Sequence, residues 1–196
     1  MRKNKEILNL LNLTKKNEKK SKKYIEWGWI IKILIVAFLI SFSFSFVSEM
    51  TIPNVNIVFG IILVIAFIFI GVIFDIIGVA VTSSDEKIFN SMSSRKVKGA
   101  RLAVKFKKNA DKVSSFCNDV VGDVCGIISG SAGAIIAVGI ANNLNCNSFI
   151  VSLVVMALIA SLTIGGKAVG KSVAINRSNI ILYRFAKIIS YFVKEK

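Results

Sequence analysis

Four stretches of the chain stay apolar for about the 20 residues a helix needs to cross a bilayer, and the polar residues fall between them. The first covers residues 27–47, with Trp27 and Trp29 as anchors at the membrane interface. The second covers 55–81 and is interrupted only by Asp75. The third and fourth, 116–141 and 149–165, are divided by the polar run Asn142-Asn143-Leu144-Asn145-Cys146-Asn147-Ser148. That run predicts a short loop between antiparallel helices.

Between the second and third spans the pattern changes. Residues 86–112 mix Phe89, Met92, Val97, Val104 and Phe106 with many lysines. This predicts one or two amphipathic helices at the membrane surface, or alternatively a solvated loop helix. The end of the chain, 179–193, sets Ile180, Ile181, Phe185, Ile188, Ile189 and Phe192 against Arg184 and Lys187. It reads as a second interfacial helix, because two cations near its middle disfavour a fifth span. The fold class expected is therefore all-α: a polytopic membrane protein with about four transmembrane helices plus cytoplasmic amphipathic helices. Residues 1–26 form a basic tail, 27–178 the four-span domain, and 179–196 the C-terminal amphipathic helix.

Composition agrees. Apolar residues make up 54% of the chain and mean hydropathy is +0.67. Both exceed what a soluble or disordered chain carries. The net charge of +15 then fixes sidedness. Ten Lys/Arg lie in residues 1–32, nine in 83–115 and seven in 167–196, while 48–54 and 142–148 hold none. Both termini are expected in the cytoplasm. The Lys-rich start exceeds a signal peptide's charged region and no small-x-small cleavage site follows, so the first span reads as retained. Its charge suits anionic headgroups better than nucleic acid.

Candidate chemistry is sparse. There is no His, which removes His-ligated zinc and His-based acid–base catalysis. Cys117, Cys125 and Cys146 give no disulfide framework. No nucleotide-binding loop or nucleophile elbow is present, so an enzyme is not expected. Ionisable residues inside the spans are candidates by default. Asp75 lies in the second span. Asp119 and Asp123, spaced i, i+4, open the third beside Asn118. Lys167 and Lys171 close the fourth at the same spacing. Two readings stand. The oxygens of Asp75, Asn118, Asp119 and Asp123 suit a hard cation such as Mg2+. Alternatively, Asp119 and Asp123 form a structural ion-pair network with Lys167 and Lys171. Gly122, Gly126, Gly130 and Gly133 form a small-residue ribbon for close helix packing, within the chain or in a homodimer. Gly165, Gly166 and Gly170 are expected to end or unwind the fourth span.

Several segments carry a family resemblance. Ser83-Ser84-Asp85-Glu86-Lys87-Ile88-Phe89-Asn90-Ser91-Met92 resembles the pattern S-x-x-E-x-A-[LI]-x-S-[LM] of the cyclin-M / CorB / CorC transmembrane domain. Residues 95–112 look like that family's basic juxtamembrane helices, and Asn109-Ala110-Asp111-Lys112 resembles its N-P-[DE]-[RK] step. Gly166-Lys167-Ala168-Val169-Gly170-Lys171-Ser172-Val173-Ala174 looks like its G-E-x-x-P-K-x-x-A motif. The resemblance covers roughly residues 55–190. It implies a magnesium- or cobalt-transporting membrane protein, dimeric, in a bacterial plasma membrane. It also implies a metal site of Ser, Asn and Glu oxygens, adding Ser83 and Glu86 to the candidate ligands. Two departures stand out. Lys167 occupies the place of the family's Glu, and Gly170 that of its Pro. The family's usual cytoplasmic CBS domains have no counterpart within residues 1–196, and the first span is additional.

Overall fold

Residues 27–51 and 56–192 are described by a computed structural model. The basic tail 1–26 and residues 193–196 lie outside them. The chain divides into two units at Leu34. Within the first, residues 27–34 begin helix α1 (Trp27–Thr51). The second unit holds everything from Ile35 onward.

That unit is all-helical, and its long helices follow the apolar stretches. They are α2 (Ile57–Ser83), α6 (Asp123–Leu144) and α7 (Ser148–Asn176). Short helix α5 (Ala110–Ser115) and a π-helical segment, Phe116–Gly122, run into α6 without a break. Among the described residues, four helices are thus long and apolar enough to cross a membrane: α1, α2, the composite Ala110–Leu144 and α7. The protein is an all-α polytopic membrane protein.

The helix ends have local causes. Asn56 and Asn147 cap α2 and α7, their side-chain oxygens accepting from the N–H groups of Val58 (3.2 Å) and Phe149 (2.9 Å). Asn145, with φ 50°, closes α6, and the Cys146 N–H returns to the Ala141 carbonyl. That geometry satisfies carbonyls at a helix end through a left-handed residue. It extends α6 by a turn into the polar run expected as loop.

Helices α2, α6 and α7 pack pairwise. Val64 and Ile68 of α2 meet Ala132 and Ile136 of α6, with Ile159 of α7 against them. Gly133 admits Ile159: a Cβ there would overlap the isoleucine side chain. Helix α7 does not unwind at its glycines. A Cβ on Gly166 or Gly170 would press on Val72 or Ile76 at 2.9 and 2.7 Å. These glycines let α7 approach α2 and remain helical. The other ribbon positions differ among themselves. Gly122 sits in a tight crossing, a Cβ on Gly130 would just reach Met156, and one on Gly126 would meet nothing within 4 Å. Close packing within the chain therefore does not explain Gly126.

The amphipathic segment forms two helices, α3 (Glu86–Ser94) and α4 (Ala100–Lys108). They part at Gly99, whose φ of 84° and contact with the Lys187 backbone leave no place for a side chain. Helix α8 (Ser178–Phe192) completes the chain. The apolar faces of these three helices meet each other, a difference from the expected membrane-facing role. Phe89, Ala103, Leu182 and Ala186 are fully buried together with Val81 at the end of α2. Lys107 fastens this cluster, its Nζ donating to the Val81 and Thr82 carbonyls at 3.2 and 2.7 Å. Ile180, Ile188, Tyr191 and Phe192 remain exposed on α8.

Candidate functional site

One face of α2 carries Gly71, Asp75 and Gly78, spaced i, i+4, i+7. Both glycines accept a neighbour. A Cβ on Gly71 would lie 3.1 Å from the Cys125 Cβ and 3.3 Å from the Gly122 carbonyl oxygen. A Cβ on Gly78 would overlap the Asn118 side-chain amide. Helix α2 therefore lies along residues 118–125, and Asp75 falls between its two points of closest approach.

The opposing wall is the π-helical segment. Its wider turn is seen in the Asp123 N–H, which donates to the Asn118 carbonyl five residues back. Such turns recur at functional sites. Nothing in the residue pattern marks this one, and the sequence reading missed it. The turn directs Asn118 at α2. Its Nδ2 donates to Ser114 Oγ at 3.4 Å, while its buried Oδ1 has no hydrogen-bond partner. An unsatisfied buried acceptor costs about 1–3 kcal/mol.

Helix α7 supplies the counter-charge. Lys167 Nζ is 3.0 Å from Asp123 Oδ1. The lysine side chain is 26% exposed and the aspartate 62%. A point one Cβ out from Gly122 gathers Lys167 Nζ (3.8 Å) and the carbonyl oxygens of Cys117 (3.4 Å) and Gly71 (3.6 Å). The Asp75 carboxyl feels the charges of Lys167, Asp123, Lys171 and Asp119. Of these charges, only Lys167 and Asp123 form an ion pair among the described residues.

The six expected ligands do not close round one ion. Ser83 and Glu86 are apart from the others. Ser83 lies eight residues beyond Asp75 along α2, about 12 Å of helix rise. Its carbonyl accepts from Ser178 Oγ at 3.3 Å. Glu86 opens α3, and its Oε1 meets Asn90 Nδ2 at 3.5 Å. Asp119 and Lys171 are both exposed, and among the described residues no ion pair joins them. The π turn alters the register that the i, i+4 spacing assumed. Among the described residues, no three His, Cys, Asp or Glu groups converge to hold a metal. What the structure brings together is Lys167, Asp123 and the Gly71 and Cys117 carbonyls around Gly122, while Asn118 faces Gly78 farther along α2 and Asp75 lies between the two points. No family model matches the chain, and neither does any curated protein or solved structure.

Proposed function

We propose that this chain is a membrane domain that moves a divalent cation, Mg2+ being the ion its chemistry suits, in the manner of the cyclin-M / CorB / CorC proteins it resembles. The observation that carries this reading is the unpartnered, buried Asn118 oxygen at the π-helical turn. Oxygen donors lie along the same seam between α2 and this turn: Asp75 falls between Gly71 and Gly78, and the Gly71 and Cys117 carbonyls lie with the Lys167–Asp123 pair near Gly122. Hard cations take such ligands.

Lys167 gives the site a resting charge balance. A bare carboxylate at membrane depth is expensive, and the ammonium neutralises Asp123. A cation entering beside Asn118 would take over that role, and Lys167 would swing away. Ion and lysine then compete for Asp123. The setting we propose is a bacterial plasma membrane with both termini cytoplasmic, following the Lys/Arg distribution. The basic segment 83–115 would face anionic headgroups. A second copy would cover the exposed Asp119, Asp123 and Ile127 beside open Gly126.

A second reading is a non-transporting scaffold or regulatory subunit. The Lys167–Asp123 pair favours it, as does the lack of any converging set of three acids among the described residues. Mg2+ flux into proteoliposomes separates the two. Transport predicts flux that Asp119→Asn/Asp123→Asn abolishes. No divalent flux from folded, inserted protein would leave the scaffold.

A further inference from the structure

Helices α2 and α7 touch where Gly166 and Gly170 meet Val72 and Ile76, and a furrow runs along that contact on the surface of the pair. It is an apolar groove of about 590 Å³, lined by Phe69, Val72 and Ile76 of α2 and by Leu162, Gly165 and Val169 of α7, among others. It continues past Ile65, Ile68 and Leu162 into a second space of about 270 Å³. A cavity of roughly 150 Å³ takes one benzene, so the larger space alone has room for about four times that hydrocarbon. No charged residue lines either space.

The groove's length matches a lipid tail. Ile65 to Ile76 spans about 16 Å of helix rise, and one leaflet's hydrocarbon is about 15 Å thick. Residues 35–51 of α1 do not fill it. They meet α2 at the edge-on pair Phe44–Phe67, ring centroids 6.1 Å apart. Phe67 lies on the face of α2 opposite Ile65, Phe69, Val72 and Ile76.

The groove's end carries the second observation. Arg177 follows Val173 by four residues and Gly170 by seven, on the same stripe of α7 as the groove lining. It caps α7 on the Lys/Arg-rich side. It is exposed, and among the described residues no carboxylate pairs with it. A guanidinium one turn beyond a leaflet-long apolar groove sits at headgroup level. It would bind phosphate oxygens in bidentate fashion.

We propose that this groove is a specific site for one anionic phospholipid of the cytoplasmic leaflet, an acyl chain lying along the α2–α7 furrow and the headgroup on Arg177. Gly165 allows a clean test. A Cβ there meets nothing within 4 Å, so Gly165→Trp fills the groove without pushing α7 from α2. The probes are phosphatidylglycerol and phosphatidylcholine carrying a photoreactive diazirine in one acyl chain, applied to full-length protein in nanodiscs. The expected labelling falls on peptides covering 65–76 and 162–173. Both headgroups offer a phosphate, but phosphatidylglycerol alone keeps a net negative charge, so it is favoured about fivefold, the ~1 kcal/mol a basic residue gains from an anionic headgroup. Arg177→Gln should bring that ratio to about one while the labelled peptides stay the same. Gly165→Trp should remove the labelling with an unchanged thermal melt; if it unfolds, Gly165→Leu replaces it. Three outcomes would each overturn the proposal: labelling spread evenly over the lipid-facing helices, equal labelling by both headgroups in the wild type, or labelling indifferent to a filled groove.

Discussion

Asn118 and Gly78 depend on each other. The amide occupies the volume a side chain at residue 78 would need, so the glycine sets the depth of the π-helical turn against α2. Gly78→Ala should force Asn118 aside. We expect a loss of about 1–3 kcal/mol, the usual cost of overpacking, read as a lower thermal midpoint in detergent. Asn118→Ala in the same background should recover most of it. Residue type alone singled out Asp75, Asn118, Asp123 and Lys167, because ionisable and amide groups are out of place in apolar spans. It could not separate them from Ser83 and Glu86. Motif order locates residues along the chain, whereas the helix rise carries Ser83 about 12 Å beyond Asp75. Nor could it foresee the π turn, which needs no particular residue.

At the scale of elements, the spans were legible because length and hydropathy suffice to define them. What each face touches was not. The stripe containing Phe89 is the same whether it meets lipid or protein. The structure uses it to bury Phe89 completely under Val81 and Leu182. Phe89→Ala should therefore cost about 3–5 kcal/mol, measured by thermal unfolding. A residue resting on lipid would show almost no loss. The glycines of α7 teach the same lesson. Gly166 and Gly170 suggested an unwound turn, but they serve close approach to Val72 and Ile76. A small residue frees space, and the neighbouring helix decides how that space is used.

For the whole molecule, charge distribution predicts sidedness and the native cysteines can report it. Cys146 is exposed in the short loop after α6, whereas Cys117 and Cys125 are buried. A membrane-impermeant maleimide added to intact cells should label Cys146 alone. Labelling only after the cells are opened would reverse the orientation. Function then turns on whether the Lys167–Asp123 pair moves or merely holds helices together. The most direct measurement compares Mg2+ flux and thermal midpoint for wild type and the exchanged pair Asp123→Lys/Lys167→Asp. A movable counter-charge predicts that wild type conducts, and that the exchanged protein keeps a similar midpoint but carries no Mg2+, because the carboxylate then hangs from α7 and the ammonium takes its place at the end of the π-helical turn. Equal flux from both proteins, or none from either, would contradict the account.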